Sequence, residues 1–143
     1  MISLEQLLAD RLRAVVAAIA ALTVLSGLGQ LLLPGAVLDL LGAESTATTR
    51  HFFAIVGMFM AVVGGVTLQA LLVEPVPAFV VLWCAVQKFG AFFAVSVGVL
   101  RDLFSWVAMA VALFDLLTAV LATVLWLRLR APAGRHQHAR VTA

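Results

Sequence analysis

Four apolar runs dominate this 143-residue chain and leave it few folds to choose from. They cover residues 14–33, 52–73, 77–100 and 103–127, each 20 to 25 residues long. A helix of about 20 residues rises roughly 30 Å, the thickness of a bilayer's hydrocarbon core. Inside that core every backbone polar group must be satisfied within the segment, which a helix does unaided. The runs are punctuated by Pro34-Gly35, by Glu74-Pro75-Val76-Pro77 and by Arg101-Asp102. Proline cannot continue the hydrogen-bond ladder, and glycine tolerates the turn. The last two breaks are so short that they read as hairpin turns between antiparallel helices. The expected fold is therefore all-α, a four-transmembrane-helix bundle of up-down topology forming one domain over residues 1–127.

Composition agrees. Hydrophobic residues make up 64% of the chain and charged ones 11%, with a mean hydropathy of +1.17. Soluble domains carry about 25% charged residues. The net charge of +2 does not indicate a nucleic-acid partner, because no basic patch is interleaved with exposed aromatics. A single cysteine, Cys84, excludes an intrachain disulfide. Eight of the nine basic residues are arginine in an Ala- and Val-rich chain, which suggests a GC-rich bacterial genome and the bacterial inner membrane.

The segment before the first run, residues 2–12, reads as a short amphipathic lead-in at the interface. Ser3 and Gln6 have capping-box spacing, and Leu7, Leu8 and Leu12 supply apolar contacts. A signal peptide is the competing reading of Arg11, Arg13 and the run that follows. The run is long for an h-region and lacks a small-x-small cleavage site, which favours an uncleaved span. Between the first two runs, AVLDLLG fits a short surface helix or turn, followed by the polar stretch ESTATTR. Residues 128–143 form a basic tail expected to be disordered. With four spans, Arg11, Arg13, Arg128, Arg130, Arg135 and Arg140 share one side, against Arg50 and Arg101 on the other. The positive-inside rule then places both termini in the cytoplasm.

Two charges interrupt the apolar runs. Lys88 lies roughly 16 Å into the third run, near the midplane. There a lysine costs at least about 2.5 kcal/mol unless it finds a partner, water or a neutral state. Asp115 sits in the fourth run, roughly 18 Å from its C-terminal end, so antiparallel neighbours bring the two to one depth. Ala108, Val111, Ala112, Thr118, Ala119 and Ala122 share its helical face, a set suited to a helix rather than lipid. A Lys88–Asp115 contact is expected. It reads either as a buried pair that fixes helix register or as a ligand or proton site. Gln87 and, nearer the end of the second run, Gln69 are candidates to line the same cavity. Small residues recur every four positions at Gly57, Ala61 and Gly65 and at Gly90, Ala94 and Gly98, allowing close helix contact or homo- or hetero-oligomer faces. Arg50 and His51 are interfacial anchors, or a polar mouth facing Asp39 or Glu44. Trp83, Trp106 and Trp126 fit an aromatic belt.

The sequence carries no GxSxG, HExxH, P-loop or CxxC pattern, and His136 and His138 in the tail do not make a metal site. No cofactor is expected. In P34-x6-L41-G42, R50-x6-G57-x6-G64, Lys88 and Asp115 the chain resembles the small bacterial four-helix membrane proteins called DoxX-like. That resemblance covers roughly residues 14–127. It implies a four-helix bundle, and some such relatives are linked to quinone or thiol redox systems; no catalytic residue is carried over. Two functions follow. One is a non-enzymatic bundle that binds a lipid, a quinone or another small amphiphile, or serves as a subunit of a membrane complex. The other is a redox-system or transporter subunit using Lys88 and Asp115 for proton or ligand handling. The absence of a nucleophile or metal constellation favours the first.

Overall fold

The computed structural model describes residues 3–131, which form six helices and no strand. Helix α1 (Leu4–Ala9) begins in the expected capping box: the Ser3 hydroxyl accepts from Gln6 N–H, and Gln6 Oε1 accepts from Ser3 N–H. Its Leu7 is buried in the core, so the segment folds against the bundle end instead of only lying on an interface. Asp10 then caps α2 (Arg11–Leu32) through Arg13 N–H, which starts the first span three residues earlier than hydropathy places it.

Pro34 does not act as a loop residue. It opens α3 (Pro34–Leu40), where its missing N–H would have no partner anyway. Gly42, at φ +65°, reverses the chain after α3. Helix α4 (Ala47–Leu71) begins five residues before the apolar run, because Thr46 caps it and the polar Ala47–Arg50 turn is already helical. After the 74–77 turn comes α5 (Ala78–Leu100), then α6 (Val107–Arg130).

Two expectations are corrected here. The last connection is not the two-residue Arg101-Asp102 turn but six residues, 101–106. Asp102 adopts φ +55° and Leu103 N–H reaches back to Gly98 O, so the chain folds over the end of α5. Leu103, Phe104 and Trp106 are apolar enough to pass for span, yet Phe104 packs on Gly98, where a Cβ would come within 2.5 Å of the ring. Arg128–Arg130, assigned to a disordered tail, form the last turn of α6, with the Arg130 guanidinium 4.8 Å from the Trp126 ring centre. Arginines there complement the helix C-terminus. The rest of that tail, with His136 and His138, lies outside the described residues.

Helices α2, α4, α5 and α6 are each long and apolar enough to cross a membrane, and they pack as a four-helix bundle. Residues such as Leu25, Phe59, Phe93 and Leu117 face outward, as lipid requires. This is a multi-pass membrane protein. The bundle consists of two tight pairs, α2 on α4 and α5 on α6, with thinner contact between them. Glycine sets the first pair: a Cβ on Gly27 would lie 2.6 Å from Gly57 O and from Ala61 N. Gly64, not the expected Gly65, continues the close approach, against Ala20 and Val24. Gly65 and Gly90 face open space and Ala94 is exposed, so of the small-residue stripe on α5 only Gly98 is packed, against Phe104 of the following loop.

The interior is layered. Leu7, Val16, Ala17, Leu71, Val81, Ala85, Ala122 and Leu125 form an apolar core towards the end that carries both described chain termini. Arg13 closes that end: Nε donates to Leu71 O and Nη2 to Val73 O, both at 2.8 Å, and Nη1 pairs with Glu74 at 2.7 Å. These bonds satisfy carbonyls that the end of α4 leaves open. Above the apolar core lies a polar layer of Thr23, Thr67, Lys88, Asp115 and Thr118.

Candidate functional site

Lys88 lies roughly 15 Å from the start of α5, and Asp115 roughly 12 Å from the start of α6. Because the helices run antiparallel, the two meet in mid-bundle, with Lys88 Nζ 2.7 Å from Asp115 Oδ1. They are 3% and 6% exposed, which makes this a buried, charge-assisted contact. Ala108, Ala112, Thr118, Ala119 and Ala122 surround Asp115 on the buried face of α6, and their small side chains let α5 come close. Val111, expected on that face, is 46% exposed and stands to one side.

Thr23 and Lys88 stand between two spaces. On one side is a small void of about 10 Å³ lined by Thr23, Thr67, Cys84, Gln87, Lys88 and Thr118 among others. That is room for about one water molecule. Gln87 Oε1 is buried there without a hydrogen-bond partner in the protein. On the other side is a groove of about 310 Å³, formed by all four spanning helices and α3, with Lys88 and Asp115 both in its lining. Leu22, Val37, Leu40, Val111 and Phe114 make its walls apolar, and several of these residues are exposed, so the groove opens to the lipid. Thr23, Ser26 and Gln30 line it from α2. Gln30 Oε1 is the second buried acceptor without a partner. The groove runs from the pair at mid-depth towards Gln30, near the α3 end of α2, and so occupies the bilayer half away from the described termini.

Lys88, Asp115 and Gln87 therefore come together, but the other sequence candidates do not. Gln69 is exposed on the outside of α4; Thr67, two residues earlier, takes the inward position. Arg50 makes no ion pair with Asp39 or Glu44. Its guanidinium donates to Ser45 O at 2.8 Å and to Ser45 Oγ at 3.0 Å, which ties down the loop before α4. His51 is exposed with its ring against Phe52. A cavity of about 400 Å³ at this end is lined by Leu38, Glu44, Thr48 and Phe52, and neither Arg50 nor His51 contributes. No group of His, Cys, Asp and Glu suited to a metal occurs among the described residues.

Sequence reasoning passed over Thr23, Ser26 and Gln30. Their spacing of three and four places them on one helical face, and that is the signal that could have found them. It also passed over Arg13, whose burial depends on where α4 ends. Comparison with known proteins yields no family model, curated protein or solved structure that matches this chain.

Proposed function

We propose that this protein is a non-enzymatic membrane bundle that holds a small amphiphile, such as a lipid or a quinone, in the groove between α2, α3 and α6. The observation that carries the reading is the groove's construction: apolar walls open to lipid, and a floor made by the buried Lys88–Asp115 pair. Such sites are mostly apolar with a few polar groups that fix orientation. An amphiphile dissolved in the bilayer reaches the groove laterally and places its head on the pair.

The test is co-purification followed by mass spectrometry of bound lipids and quinones, with Val111→Trp as the groove-filling variant. The wild-type protein should carry a defined amphiphile, and Val111→Trp should lose most of it while remaining folded. A ligand-free wild-type protein rejects the reading, as does a ligand retained equally by the filled variant.

A second reading is favoured by one observation: Thr23 and Lys88 line both the groove and the void. In a redox or transport assembly the pair would then relay a proton between the groove and the polar interior. A proton-linked activity that survives in a well-folded Lys88→Met/Asp115→Leu protein would exclude it.

A further inference from the structure

We infer that the groove selects amphiphiles whose head is uncharged and bears a hydroxyl, such as an acylglycerol, a long-chain alcohol or a quinol, over ionic amphiphiles of equal chain length. The inference rests on the groove reading above and adds the chemistry of the head.

Charge is the first argument. Among the described residues, Lys88 and Asp115 are the only charged side chains lining the groove. Their sum is zero wherever the shared proton resides. A sulfonate or ammonium head would therefore bring an uncompensated charge into a low-dielectric site, whereas a neutral head would not. Hydrogen-bonding capacity is the second. Lys88 spends one N–H on Asp115, and an ammonium group has three, so donors remain for a ligand oxygen. At the far end of the groove Gln30 Oε1 is buried and unpartnered, so it requires a donor. A hydroxyl answers either demand, accepting at Lys88 or donating at Gln30, without carrying charge. Thr23 cannot supply the missing donor, because its hydroxyl hydrogen is committed to Ile19 O at 3.0 Å.

The experiment is native mass spectrometry of delipidated protein in detergent. The probes are 1-dodecanoylglycerol, a decyl-substituted benzoquinol, dodecanesulfonate and dodecyltrimethylammonium, each titrated into the wild type and into Val111→Trp. Only binding lost in Val111→Trp counts as groove binding. The neutral probes should bind the groove at least about tenfold more tightly than either ion, and the tighter of the two neutral probes identifies the head. Groove binding of an ion that equals or exceeds that of both neutral probes overturns this inference and leaves the groove reading standing. Groove binding by none of the four overturns both. Asp115→Asn leaves Lys88 without its counter-charge, so sulfonate should then gain about tenfold relative to the acylglycerol. An unchanged ratio in a folded Asp115→Asn protein would show that the pair does not set selectivity. If that variant does not fold, the wild-type comparison decides the matter alone.

Discussion

Arg13 shows how one residue can be misplaced by a rule that is right on average. Counted as an interfacial positive charge, it is in fact 8% exposed and bonded to two carbonyls and Glu74 at the end of α4. The planar fork of arginine reaches all three, and a lysine cannot. Arg13→Lys is expected to cost about 1.5–3 kcal/mol, read as a lower unfolding midpoint in detergent; Arg11→Lys, exposed two residues earlier, should cost nothing measurable. The central pair makes a sharper prediction. Lys88→Met or Asp115→Leu alone leaves an unpaired buried charge, typically worth about 3–5 kcal/mol, while the double substitution removes both charges. Each single variant should lower the yield of folded protein, and the double variant should recover much of it; strictly additive losses would show the contact to be energetically idle. These two residues were legible in the sequence because a charge inside an apolar run is conspicuous and helical rise fixes its depth. Thr23, Ser26 and Gln30 were not. Serines and threonines in apolar helices commonly bond their own backbone, as Thr23, Thr118 and Thr123 do here, and only packing reveals which of them also face a cavity.

At the scale of the helix, the close pairing of α2 and α4 rests on backbone approaching backbone. A methyl group on Gly27 would meet Gly57 O and Ala61 N, atoms that cannot swing aside. Gly27→Ala should therefore destabilise by about 1–3 kcal/mol. Gly65→Ala and Gly90→Ala meet nothing within 4 Å and should leave the unfolding midpoint unchanged or slightly raised, since alanine is the better helix former. Equal losses at all three positions would mean that glycine flexibility, not contact, is what matters. The same comparison shows what hydropathy can and cannot read. All four spans and their order were visible as long apolar runs. Their ends were not, because ends are decided by caps and long-range contacts: Thr46 draws polar residues into α4, while Gly98 draws apolar Phe104 out of α6. The choice of Gly64 over Gly65 likewise depends on which face of α4 meets α2, and two adjacent glycines give no preference.

Taken whole, the bundle brings the two ends of the described chain together: Arg128 Nη1 lies 3.5 Å from Asp10 Oδ1, and the α3–α4 and α5–α6 loops meet at the other end through Ser105 N–H and Leu41 O at 2.8 Å. In a Cys84→Ser background, Ser45→Cys and Ala131→Cys should react with an impermeant maleimide from opposite sides of the membrane; reaction from one side only would reject four spans. The separation of the central pair along the chain carries a consequence for how the protein is made. Lys88 precedes Asp115 by 27 residues. At a translation rate of about 5–20 residues per second, the lysine is synthesised, and emerges, roughly one to five seconds before its partner does. Chains truncated at residue 106 and released from the ribosome should therefore hold α5 in the translocon or leave it open to protease, and released chains ending at residue 131 should pass it into lipid; stable insertion of the shorter chain would contradict this. The α2–α4 pair holds no charge at mid-depth and can assemble as it is synthesised, so the expected order of biogenesis has α5 and α6 entering the bilayer as one hairpin.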